Sequence, residues 1–216
     1  MNNKGNIQDS GGTDLSAQIV TAARARFLQF GYAKTSMQEI ATACDMSAAN
    51  LYRFYDGKLA IGAAVATREQ SVLLAACDRA VAGAGPDLAE RLVALFQANI
   101  DATQKTLKRS PLLFELALTV AREMPELRRQ FLRAVESRII AIMADGQATT
   151  PFAAAAVKLR SRMILMASAP FVLPWMMQNE PFGNPRPMVE PLICSLVAGL
   201  AEAPPPANVS SPARFS

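Results

Sequence analysis

Residues 19–61 read IVTAARARFLQFGYAKTSMQEIATACDMSAANLYRFYDGKLAI, and their spacing decides the fold. Ile19, Ala22, Ala23, Phe27 and Phe30 recur on one face of a 3.6-residue period, which predicts a helix with that face inward. Gly31 follows, and glycine tolerates the positive φ that ends helices. Ser36-Met-Gln-Glu39 has capping-box spacing: the hydroxyl can accept from the Glu39 N–H while the carboxylate reaches back. A short helix with Ile40 and Ala41 inward then meets Cys44-Asp45-Met46. Asp enters the left-handed region more readily than most side chains, so this triplet can make a tight turn. Ser47 caps a second short helix that turns Leu51 inward and small or polar side chains outward.

Two short helices joined by so tight a turn form a helix-turn-helix. Such a motif places its second helix in the major groove, N-terminal side chains at the base edges. Ala48 and Ala49 permit close approach, and Asn50 carries the paired donor and acceptor that match adenine. An ordinary helical hairpin would show much the same pattern, and periodicity does not separate the two.

A resemblance does. Ala22-Ala23, Phe27, Gly31-Tyr32, Thr35-Ser36, Ile40-Ala41, Ser47, Leu51-Tyr52 and Lys58 resemble, at the usual spacing, the DNA-binding domain of the TetR/AcrR family. The chain departs from that pattern at Cys44-Asp45-Met46, where the family usually has Ala-Gly-Val. It departs again at Ala49, usually Gly, and at Phe54-Tyr55, usually His-Phe. The resemblance implies that Thr35, Ser36, Tyr52 and Lys58 meet phosphates, while Ser47, Ala48, Asn50 and Lys34 lie at or near base edges. Leu51 and Phe54 already supply apolar bulk, so Tyr52 is expected with its hydroxyl outward.

Composition narrows the function classes. The 216 residues are 51% hydrophobic, rich in the helix formers Ala, Leu and Met, and poor in aromatics, which argues for an all-α fold. The net charge of +4 fits a nucleic-acid partner, but residues 15–60 carry five basic against three acidic side chains, so charge alone is a weak argument. Histidine is absent, which removes His-based catalysis and the commonest metal ligand. Cys44, Cys77 and Cys194 show no zinc spacing and no disulfide framework, as expected of a reducing cytoplasm. No phosphate-cradling glycine loop is present, so neither cofactor nor metal is expected.

Along the chain, residues 1–13 are polar and Gly-rich, without the apolar core of a secretory signal, and are expected to be a disordered arm. Residues 14–60 are expected to be the three-helix DNA-binding domain. Residues 61–202 are expected to be a helical effector-binding and dimerisation domain, and 203–216 a Pro-rich tail. Helices are predicted at 14–30, 36–43, 47–53, 57–82, 87–107, 111–123, 125–145, 152–178 (kinked at Pro170 and Pro174) and 187–201. Ser110-Pro111 and Thr150-Pro151 each set a cap before a proline at N1. The apolar stretch Met163–Met177, broken by its prolines, is too short to span a bilayer comfortably, so no membrane partner is expected.

The resemblance implies that the C-terminal helices bind an effector and pair two copies of the chain. Val189, Leu192, Ile193, Leu196, Val197 and Leu200 form one apolar stripe, expected at the dimer interface unless it packs within the chain. Phe96, Phe114, Met163, Met166 and Trp175 are the expected lining of an effector pocket, with ordinary core as the alternative for each. The function expected is a homodimeric repressor of operator DNA, released by a small hydrophobic effector. A small helical enzyme, or a DNA-binding architectural protein or activator without a ligand, are the competing readings.

Overall fold

The structure is a computed structural model and describes residues 10–145, 154–173, 176 and 184–202. Nine helices account for nearly all of the described chain: α1 Ser10–Phe30, α2 Met37–Ala43, α3 Ala48–Leu51, α4 Lys58–Ala82, α5 Leu88–Arg109, α6 Pro111–Glu123, α7 Pro125–Asp145, α8 Ala154–Val172 and α9 Arg186–Glu202. α1 begins within the stretch expected to be an arm, whose residues 1–9 lie outside the described residues, as do 203–216. Pro111 does open α6, but Ser110 makes no side-chain cap bond. Thr150 and Pro151 lie outside the described residues. Pro170 stands inside α8, which is described only to Val172; Pro174 and Trp175 lie outside.

The helices sort into two compact units. The first joins Met1–Leu73 with Ala102–Gln130, so α6 belongs in space with the N-terminal helices, from which it is distant in sequence. Its core is built from Ile19, Ala23 and Phe27 of α1, Ile40 and Ala41 of α2, Leu51 of α3, Ile61 and Val65 of α4, and Leu113, Leu116 and Val120 of α6. Full burial of Phe27 stabilises the unit by about 1.5–3 kcal/mol. Phe30, expected on the same inward face, is instead 40% exposed, and the Arg26 guanidinium covers its ring at 4.3 Å. One further turn carries the α1 stripe past the edge of the core.

Of the described helices, α4 is the one long and apolar enough, by length and composition, to cross a membrane. Its first half is committed to the first unit. Ile61, Val65 and Ala66 are core, Glu69 pairs with Arg24 at 2.6 Å, and Arg68 donates to the Thr21 hydroxyl at 2.8 Å.

The second unit contains Leu74–Asp101 and Phe131–Ser216. Its buried residues include Leu92 and Phe96 of α5, Phe131, Val135 and Ile139 of α7, Val157 and Ile164 of α8, and Val189 and Ile193 of α9. Ion pairs lace the helices together at the surface: Asp78 with Arg138, Arg91 with Asp145, Glu136 with Arg162, and Asp101 with Arg186. Each is worth little alone. The Arg138 guanidinium beside Asp78 holds that carboxyl below the usual carboxylate range.

Candidate nucleic-acid interface

The helix-turn-helix is held by bonds that its own sequence supplies. Ser36 Oγ accepts from Glu39 N at 3.2 Å and Glu39 Oε2 accepts from Ser36 N at 2.8 Å, completing the capping box that starts α2. These bonds, with Arg26 nearby, keep the Glu39 carboxyl below its ordinary range. In the turn, Cys44 N and Met46 N both donate to Ala41 O, while Asp45 takes φ 53°, the left-handed value its short polar side chain tolerates. Ser47 Oγ then accepts from Asn50 N at 3.2 Å and fixes the first turn of α3.

Behind this motif, the turn after α1 is clamped from below. Gly31 has φ +85°, and a Cβ there would meet Leu112 of α6 at 3.3 Å. Thr35 Oγ1 donates to Gly31 O at 2.8 Å. Tyr32 packs edge-on against Phe27 with centroids 5.5 Å apart, and Lys58 Nζ donates to Tyr32 O at 2.9 Å from above the Tyr32 ring. Burial, then the charge of Glu123, pushes the Tyr32 phenol up.

The expected contact residues fall into three groups. Lys34, Ser36, Ser47 and Tyr52 are exposed, Tyr52 at 52%. Ala48 and Asn50 are half-buried, and the Asn50 side chain spends no hydrogen bond within the chain. Thr35 is the correction: it is 2% exposed and its hydroxyl is consumed by Gly31 O, so its side chain braces the turn and does not face a phosphate. Lys58 is half-buried and already holds two main-chain oxygens, those of Tyr32 and Ala33. The Ser36 hydroxyl is likewise engaged with Glu39. Arg53, exposed directly after α3, escaped the sequence reading, although it is the one basic side chain between Ser47 and Gly57. Gln38 and Thr42 escaped it too; they line a shallow cleft on α2 with Arg26 and Glu39. Cys44 is half-buried, and burial followed by the charge of Asp45 pushes its thiol up, away from the reactive thiolate.

The C-terminal assignments change more. Phe96 and Phe114 are buried, at 1% and 4% exposure, but Met163 and Met166 stand at the surface of the single chain, at 46% and 70%. They face away from the buried side of α8 that carries Ile164 and Leu165, so they do not line an internal pocket. Trp175 lies outside the described residues. On α9, Val189, Ile193 and Leu200 are buried within the chain, where α9 packs on α8, and are not available to a second copy. Leu192, Leu196 and Val197 remain half-exposed. A helix must bury its stripe somewhere, and here the chain itself supplies most of the cover. Among the described residues no group of three His, Cys, Asp or Glu side chains could hold a metal.

Comparison with known proteins agrees with this geometry. Residues 19–65 match the family model for bacterial regulatory proteins, tetR family, and residues 89–184 match that for the tetracyclin repressor-like C-terminal domain. No curated protein matches the chain in sequence. Among solved structures, the fatty acid degradation regulator FadR from Bacillus halodurans is similar at 19% identity and TM-score 0.58, over 92% of this chain and 98% of that one. SmeT, the repressor of the Stenotrophomonas maltophilia multidrug efflux pump SmeDEF, is similar at 17% identity and TM-score 0.55, over 92% and 96%. RolR, solved in complex with resorcinol, is similar at 14% identity and TM-score 0.62, over 93% and 99%. At these identities the neighbours speak for the fold. The two family models, between them taking in most of the chain, together with the capped helix-turn-helix, show that it belongs to the TetR family of DNA-binding transcriptional regulators.

Proposed function

We propose that the chain is a cytoplasmic homodimeric repressor whose two helix-turn-helix motifs read inverted half-sites of an operator and leave it when a small, mostly apolar effector binds. The observation that carries this reading is the first turn of α3. Ser47 fixes its start, Ala48 and Ala49 keep its surface low, and Asn50 is left with its amide unspent. In this reading Ser47, Ala48, Asn50 and Lys34 approach base edges, while Ser36, Tyr52, Lys58 and Arg53 meet phosphates. Residues 14–60 serve as the DNA-reading domain and 61–202 as the effector and dimerisation domain, a division supported by the family-model limits at 65 and 89.

Pairing of two copies is supported by apolar surface left open in the single chain. Met163 and Met166 on α8 and Met188 on α9 are exposed, beside the half-exposed Leu192, Leu196 and Val197. Ligand control is supported by the C-terminal family match, and the similarly folded RolR was solved with a small aromatic molecule, resorcinol.

The test is thermodynamic linkage. Operator DNA labelled for fluorescence anisotropy is titrated with the full chain while a library of small molecules is screened for release. Any releasing compound should bind the free protein about 5–150-fold more tightly than the operator complex, the usual range of allosteric coupling. Equal affinity for the two forms would rule out ligand-driven release.

A further inference from the structure

The helical core leaves three buried polar atoms unpaired. Asn99 and Thr103 lie four residues apart on α5, each 3% exposed, on a face shared with Leu92, Phe96 and Ile100. Ser168 lies on α8 and is 2% exposed. Asn99 Oδ1, Thr103 Oγ1 and Ser168 Oγ have no hydrogen-bond partner in the chain. Their neighbours show that the helices can satisfy such groups unaided. On α5, Thr106 Oγ1 donates to Ala102 O at 3.0 Å. On α8, Ser161 is 0% exposed, and its Oγ donates to Val157 O at 2.8 Å and lies 3.2 Å from Met143 Sδ.

An unpaired buried polar group costs stability, and apolar residues of the same shape would remove that cost. Leu, Val and Ala would do so at these three positions. Retaining Asn, Thr and Ser there makes sense where something outside the chain completes them.

We propose that Asn99 and Thr103 anchor the effector by hydrogen bonds, with Ser168 as a further polar contact, and that the effector is an uncharged, mostly apolar molecule bearing a hydroxyl. This rests on the ligand-released reading above. The donor inventory sets the class. Asn99 Oδ1 accepts, so the ligand must donate; the Thr103 hydroxyl can donate or accept, so one ligand hydroxyl can serve both. Side chains four apart on a helix have Cβ atoms about 5–6 Å apart, within reach of one such group. Charge is disfavoured: the buried cation of these helices, Arg160, is already engaged, which leaves nothing to neutralise a carboxylate.

The test uses the full chain and three probes of one shape: 1-naphthol, naphthalene and 1-naphthoate. Thermal denaturation and direct titration should show 1-naphthol binding about ten-fold more tightly than naphthalene, and 1-naphthoate giving no stabilisation. Asn99→Leu and Thr103→Val should each raise the Tm of the free protein, keep operator binding, and reduce 1-naphthol to the affinity of naphthalene. Thr103→Val is nearly isosteric and carries the test if Asn99→Leu fails to fold. Equal affinity for naphthol and naphthalene, preference for naphthoate, or no binding of 1-naphthol would overturn the proposal. So would a lowered Tm in the variants, because Asn99 and Thr103 would then be water-bridged parts of the scaffold. Failure of the wild-type chain to bind operator would instead remove the repressor reading, and the probe comparison would stand apart from it.

Discussion

Lys58 Nζ, at the start of α4, donates to the main-chain oxygen of Tyr32 at 2.9 Å and lies 4.5 Å from the centre of the Tyr32 ring. One ammonium therefore locks the turn after α1, on which α2 is hung, to the helix that leaves the DNA-binding motif. Lys58→Ala removes a charged hydrogen bond and a cation–π contact, and should cost about 1–2 kcal/mol of stability in urea denaturation. It should also weaken binding to all DNA sequences and flatten the salt dependence by about one unit, as a lost phosphate contact does. An unchanged salt slope would leave Lys58 as a clamp alone.

Gly62 is the second tight point. A Cβ there would sit 3.1 Å from both Tyr32 Cε2 and Leu116 Cδ1. Gly62→Ala should destabilise the protein by about 1–3 kcal/mol, the usual cost of overpacking, despite the better helix propensity of alanine. Adding Leu116→Val should recover part of that loss, because the two sites touch and their effects are not additive. A double-mutant cycle with purely additive terms would show that the crowding is relieved elsewhere.

The capping box gives a pH dependence whose sign is fixed. Glu39 is ionised more readily in the folded protein than in the unfolded chain, first through the Ser36 N–H and then the Ser36 hydroxyl. Its stabilising contribution is present above the unfolded value and is lost as pH falls through the lower folded value. Glu39→Gln should therefore flatten the acid limb of the stability curve while leaving neutral behaviour nearly unchanged. An identical acid limb in the variant would show that the box contributes nothing to α2.

Asn50 and Ser47 should separate under mutation. Asn50→Ala removes an unspent amide, so it should relax base preference at one position per half-site and cost about 1–3 kcal/mol of specific binding. Ser47→Ala removes the cap of α3 and should cost about 1 kcal/mol of stability as well. Selection from random DNA with each variant, beside a melting curve, distinguishes them. Matching selection profiles would contradict the assignment of Asn50 to a base edge.

Much of this was legible because it is local. The capping box, the glycine at Gly31 and the left-handed Asp45 are short-range chemistry, written in adjacent residues. The errors came from long-range packing. Thr35 looked available from its neighbours, yet its hydroxyl folds back on Gly31 O. The stripe on α9 gave no sign that α8 would cover Val189 and Ile193, or that Met163 and Met166 would lie on the far side of α8. The grouping of α6 with α1 in the first compact unit joins residues about ninety positions apart, beyond any periodicity argument.

The most direct measurement is selection of bound fragments from random double-stranded DNA by the full chain at physiological salt, followed by sequencing. Two inverted half-sites about one helical turn apart, on the order of 34–36 Å centre to centre, are expected, with enrichment that collapses as salt rises. Enrichment of a single half-site, or no enrichment over the starting pool, would contradict a two-fold operator read by the helix-turn-helix.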